Sequence, residues 1–151
     1  MPDLLVNLLK LPALEDVQDF TVRRAQPFEL TAVRSFTTTN FSASWADEIS
    51  VGFGRQPISV FIAIIQGGLV GFSAYECTRR GFFGPTGVVD AARGRGIGKA
   101  LLLAALWGLR DMGYVYAIIA GAGPVRFYKK TVGAIIIPDS EPGIYTDMLK
   151  K

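Results

Sequence analysis

The sequence predicts a mixed α/β domain (α+β type): a mostly antiparallel sheet flanked by helices, with one parallel strand pair. Three observations predict it. First, β-runs at 59–65, 69–78 and 82–89 follow one another through Gln66-Gly67-Gly68 and Arg79-Arg80-Gly81. Runs joined by such short turns are antiparallel neighbours. Second, the third run passes through a glycine loop into 97–112, a segment rich in Ala and Leu, the best helix formers. Third, a new β-run at 114–120 follows that helix. A strand–helix–strand connection within one sheet places its two strands parallel. The chain has 151 residues, half of them hydrophobic, which fits one domain with a substantial core.

The other elements follow in order. Residues 1–18 read as an N-terminal extension of the single domain 1–151. Its apolar segment closes at Pro12 and fits a short helix or an added edge strand; periodicity does not choose between them. In 20–24, Phe20 and Val22 alternate with Thr21 and Arg23, as in a strand. Pro27 suits a helix start, and Phe28, Leu30, Val33 and Phe36 carry a helical apolar spacing. Thr37-Thr38-Thr39-Asn40 reads as a break. Ser42 or Ser44 caps a second helix through about Phe53, with Asp47 and Glu48 favourable early in it. Gly113 suits the C-terminal cap of the long helix. Pro124 opens a short helix over 125–131, 134–137 is a strand, and 144–149 is the last strand.

The segment that organises the chain is Arg93-Gly94-Arg95-Gly96-Ile97-Gly98. Three glycines in five residues are costly in backbone entropy and need a reason. A strand feeding through them into a helix leaves the first helical N–H groups without intrahelical partners. Those donors and the positive end of the helix dipole form an anion site, around which Arg93, Arg95 and Lys99 add charge. The ligand this suits is a phosphate, above all a pyrophosphate. A Walker A loop is excluded, because Arg93 stands where its first glycine belongs and Ala100 follows Lys99. A dinucleotide fingerprint is excluded, because Lys99 stands where its last glycine belongs.

Composition removes further classes. There is no histidine, which excludes histidine-based triads, histidine general bases and most zinc hydrolase sites. Cys77 is the only cysteine, so neither an internal disulfide nor a structural zinc site is expected, and a reducing cytoplasm fits. No metal is expected. Net charge is +3, too small to argue for nucleic acid. No apolar run approaches the ~20 residues of a membrane span, and the segment 4–11 lacks the flanks of a signal peptide.

Two stretches resemble a known family. Val88-x4-Arg93-x2-Gly96-x-Gly98 resembles the V-x4-[QR]-x2-G-x-[GA] signature of the GNAT superfamily of N-acetyltransferases. Downstream, Arg126-Phe127-Tyr128-Lys129-Lys130-Thr131-Val132-Gly133-Ala134 resembles that superfamily's second signature. The expected element order is similar over nearly the whole chain. The resemblance implies acetyl-CoA as cosubstrate, with the parallel pair at the cofactor cleft. It implies that Arg93, Gly94, Arg95, Gly96, Ile97, Gly98, Lys99 and Ala100 hold the pyrophosphate. It implies that Val88 and Val89 pair with the pantetheine arm, and that Tyr128 protonates the departing thiolate. Tyrosine chemistry agrees, because a phenol of pKa about 10 is protonated at neutral pH. The implied reaction is direct attack of an amine, on a small molecule or a protein amino group, on the thioester. A non-catalytic CoA-binding sensor and a transferase of longer acyl chains are the alternatives. A homodimer is common in similar proteins, but nothing in this sequence derives one.

Two departures stand out. Phe82 occupies the position where some family members carry a glutamate base, and Gly121-Ala122-Gly123-Pro124 stands where many have an asparagine. Glu76, late in an apolar strand, is the remaining carboxylate candidate for a base, and water is the other. Trp45, Glu48 and Tyr145 fall in regions that frame the acceptor pocket in similar proteins, although core packing and a solvated helix face explain them equally well. Asp90 reads as a turn former and Cys77 as a small apolar filler.

Overall fold

The computed structural model describes residues 1–150. Seven strands form one sheet in the order β2-β3-β4-β5-β6-β1-β7, with strands β1 (Leu4–Asn7), β2 (Thr21–Arg24), β3 (Val60–Ile65), β4 (Gly68–Tyr75), β5 (Phe82–Val88), β6 (Tyr116–Ile119) and β7 (Ile135–Ile136). All pairings are antiparallel except β5 with β6. The helices are α1 (Leu30–Asn40), α2 (Ala43–Phe53), α3 (Ile97–Asp111) and α4 (Val125–Val132).

Side-chain alternation along β3 sorts the layers. Val60 and Ile62 pack with Val33 of α1, Ile49 of α2 and Phe72 of β4 on one face. Ala63 packs with Ile97 and Leu101 of α3 on the other. Leu102, Leu103, Leu106 and Leu109 carry that second core on to Phe83, Ala117, Ile119 and Tyr128. The Ser42 hydroxyl caps α2 by accepting from the Trp45 N–H at 3.1 Å.

The structure corrects two sequence expectations. The 37–40 run continues α1. Its polar side chains bond back one turn, Thr37 Oγ1 donating to the Val33 carbonyl at 2.8 Å and Asn40 Nδ2 to the Phe36 carbonyl at 2.9 Å. Such bonds let Thr and Asn stay in a helix they would otherwise weaken. The expected strand at 144–149 does not form. The seat beside β6 belongs to β1, which pairs Leu4 with Ile119 and Val6 with Ala117. Leu4, Val6 and Leu8 are fully buried. Fixing 144–149 there as well would bury no comparable apolar surface; Met148 and Leu149 lie exposed.

Candidate functional site

β5 and β6 pair at only two positions, Phe82 with Ile118 and Phe83 with Ile119. Beyond Phe83, β5 continues beside β4 to Val88, while β6 ends at Ile119 and the chain turns off through Ala120 and Gly121. Gly84 adopts φ +117°, and Pro85 has no N–H to offer a neighbour. The strands therefore part, and the gap is a cleft of about 880 Å³. Its walls come from both faces of the sheet. Leu102, Tyr128 and the start of α3 lie on the α3 face; Phe41 and Trp45 lie on the α1–α2 face.

The start of α3 is built as an anion cradle. Gly94 and Gly96 hold φ of +83° and +81°, and open space surrounds the position of a Cβ at each. The first helical bond runs from the Ala100 N–H to the Gly96 carbonyl at 3.1 Å. The N–H groups of Ile97, Gly98 and Lys99 thus have no intrahelical acceptor. Arg93 and Lys99 line the same end of the cleft. This donor set, with open glycine backbone and two cations, fits the pyrophosphate of a CoA thioester. Both cations already have carboxylate neighbours: Arg93 Nη1 lies 3.2 Å from Asp90 Oδ1, and Lys99 Nζ lies 3.3 Å from Glu15 Oε1.

Of the residues expected to hold the cosubstrate, Val88, Arg93, Gly94, Gly96, Ile97, Gly98 and Lys99 line the cleft. Val89, Arg95 and Ala100 flank it. The Val89 N–H is taken by the Val70 carbonyl at 2.9 Å, and Arg95 is exposed.

Tyr128 lies on α4 with its ring against Phe83 and Phe127, at centroid distances of 6.2 and 5.2 Å. The residue is 5% exposed and lines the cleft. Burial pushes its hydroxyl up to about 12, so the phenol is firmly protonated at neutral pH.

The carboxylate candidates lie elsewhere. Glu76 is buried in the turn after β4, where its carboxylate accepts from the Gly81 N–H and from Tyr114 Oη. It does not line the cleft. Glu48 accepts from Thr78 Oγ1 at 2.8 Å. Tyr145 belongs to an adjoining recess with Met1, Gly121, Glu141 and Pro142. Burial raises its hydroxyl first, and the charges of Glu48 and Asp3 add to that. Cys77 is buried, and burial raises its thiol to about 11, which suits a packing role.

The sequence profile of the Acetyltransferase (GNAT) family matches residues 23–134. The chain belongs to this family. Its architecture is the GNAT fold, and the splayed pair β5–β6 is its single parallel pair. A GCN5-related N-acetyltransferase from Sphaerobacter thermophilus superposes with a TM-score of 0.71 at 20% identity, over 90% of this chain and 48% of that one. A GNAT-family acetyltransferase from Colwellia psychrerythraea superposes at 0.66 and 18% identity, over 89% of this chain and 52% of that one. This chain thus spans about half the length of those two proteins. A GNAT-family acetyltransferase from Brucella melitensis, solved in complex with acetyl-CoA, superposes at 0.52 and 21% identity, over 74% of this chain and 80% of that one. No curated protein sequence matches this one.

Sequence reasoning missed two residues that shape the GNAT cleft, Phe41 and Met1, and it named Trp45 without its ring partner. Phe41, which the sequence did not single out, sits on the bare backbone of Gly87, where a Cβ would meet its ring at 2.5 Å. Phe41 and Trp45 lie 5.5 Å apart, centroid to centroid, with their planes 30° from each other. Met1 lines both the cleft and the adjoining recess. The one visible signal was Gly87, a glycine inside a strand, which marks the close approach of another group.

Proposed function

We propose that this GNAT domain is an N-acetyltransferase that moves an acetyl group from acetyl-CoA to an amine by direct attack. The observation that carries the reading is the Tyr128 hydroxyl. It belongs to a buried, protonated phenol on the same cleft as the α3 anion cradle. Acetyl-CoA supplies the activated thioester. The Gly94–Lys99 backbone, with Arg93 and Lys99, holds its pyrophosphate, and the stretch of β5 that β6 leaves open lies along its arm. Val89, Arg95 and Ala100 complete the loop from behind. Much of the acceleration in this reading is proximity, since both partners are held in one cleft. Tyr128 holds the proton that the leaving sulfur needs, with its ring braced by Phe83 and Phe127. The residues act as one domain, 1–151, with cytoplasmic activity; an aqueous amine is the partner.

Calorimetry with acetyl-CoA and a thiol-release assay over a panel of amines test the reading together. Binding with turnover supports it. Binding without turnover of any amine would make the domain a CoA sensor, and no binding would remove the cosubstrate assignment.

A further inference from the structure

We propose that the acceptor is an aromatic amine, its nitrogen uncharged at neutral pH, seated against Phe41 and Trp45. The inference rests on the transferase reading above and narrows its acceptor.

The aromatic wall is the first support. Phe41 and Trp45 are each half-buried, and both line the cleft. Each also packs edge-on against Phe72, at 5.7 and 6.2 Å, so the pair is braced from behind. Phe41 can lie this close to β5 only because residue 87 is glycine. The small residues Gly121, Ala122 and Gly123 line the same cleft. Two rings beside open glycine and alanine backbone suit a flat apolar body. The wall lies on the α1–α2 face, opposite Tyr128, so an acceptor entering from that face meets these rings first.

Charge is the second support. Among the described residues, the charged side chains lining the cleft are Arg93 and Lys99, both cations. Among the described residues no carboxylate lines it; Asp3 is engaged by the Gly121 N–H at 2.9 Å. Glu48 is engaged by Thr78, and Glu141, in the adjoining recess, lies 2.7 Å from the Met1 amino nitrogen. An ammonium entering the cleft would lose its water with no counter-charge to replace it, which is costly.

Proton balance is the third. In the transfer, a bond forms between nitrogen and the acetyl carbon, the carbon–sulfur bond breaks, and its electron pair leaves on sulfur. Sulfur takes one proton. A neutral primary amine loses one proton on becoming an amide, so the balance closes. Tyr128 gives its proton to sulfur and recovers one from nitrogen through water. An alkylammonium loses two protons, one of which needs a separate base. The chain has no histidine, and Glu76 is engaged in its turn. An alkylamine of pKa about 10.4 offers only about one neutral molecule in 2,500 at pH 7.

The test compares aniline-type and benzylamine-type acceptors of matched shape on the full chain, with acetyl-CoA binding measured in parallel. At pH 7 kcat/KM should favour the aromatic amines by tenfold or more. Calorimetry should show the aromatic amines binding at least tenfold more tightly. Trp45→Leu should weaken that binding several-fold while acetyl-CoA affinity holds. Gly123→Asp places a carboxylate in the wall at a position where a Cβ makes only ordinary contact, 3.7 Å from Met1 Sδ. It should shift preference toward benzylamines. Tighter binding and faster turnover of benzylamines or diamines, with acetyl-CoA still bound, would overturn the acceptor assignment alone. Loss of acetyl-CoA binding by the unmodified protein would overturn the transferase reading and the acceptor with it.

Discussion

The Lys99 ammonium lies 3.3 Å from the carboxylate of Glu15, a residue 84 positions earlier in the chain. The irregular segment that carries Glu15 also receives the Trp107 indole N–H at the Pro12 carbonyl, 2.9 Å away. It therefore runs along α3 from its last turns to its first, and brings a carboxylate to the anion cradle.

That pair is exposed, and exposed pairs are worth about 0–1 kcal/mol. Glu15→Gln should therefore tighten acetyl-CoA binding by roughly two- to fivefold at low salt, with the gain fading as salt screens the pair. Calorimetry at two ionic strengths checks this. Equal affinities at both would mean that Lys99 does not meet the phosphates.

Gly96→Glu acts on the cradle itself. A side chain at φ +81° costs about 1–2 kcal/mol, and its negative charge opposes phosphate. Each charged hydrogen bond lost costs roughly 1.5–3 kcal/mol. Acetyl-CoA affinity should drop more than tenfold while circular dichroism shows a folded protein. Unchanged affinity in the folded variant would remove the pyrophosphate site.

Tyr128→Phe keeps the ring contacts with Phe83 and Phe127 and deletes the donor. kcat should fall by about 10²–10⁴ while acetyl-CoA affinity holds. The pH dependence of stability gives a separate readout. The folded-state value is raised from 10.0 to about 12, so the native state resists ionisation. Stability from this group is fully present below pH 10 and is lost as pH rises through 12. In the phenylalanine variant that part of the alkaline loss should disappear.

Glu76→Gln separates a base from a structural carboxylate. Its carboxylate accepts from Gly81 and Tyr114, so the variant should lose about 1–3 kcal/mol of stability. With an alkylamine acceptor, kcat/KM should rise from pH 6 through about pH 8.5 in both proteins, following the acceptor's own ionisation. A rising limb near pH 6.5–7 that vanishes in the variant would make Glu76 the base.

Local chemistry made the loop, the hairpins and α3 legible. Gly94, Gly96 and Gly98 between an apolar run and an Ala/Leu run admit few other readings. The features that escaped are long-range. Nothing local in Leu4-Leu5-Val6-Asn7 says that its partners are Tyr116–Ile119, and nothing local in 144–149 says that no strand forms there. Phe41 over Gly87 joins two elements 46 positions apart. Glu76 looked free because its partner, the Gly81 N–H, is a backbone group with no signature. For the acceptor site, the aromatic residue types were visible, but their convergence on one wall was not.

The placement of β1 bears on how the polypeptide reaches this state. Leu4 pairs with Ile119, 115 positions away, so the centre of one half of the sheet waits for chain made much later. Closing so long a loop is entropically slow, and domains dominated by such contacts fold in milliseconds to seconds rather than microseconds. The helices and the β3–β4–β5 meander, whose contacts are local, are positioned to form first, with the β1 seat still open. In that interval Ala117 and Ile119 expose an unpaired strand edge. The docking of β1 covers that β6 edge and supplies the strand on which β7 in turn pairs.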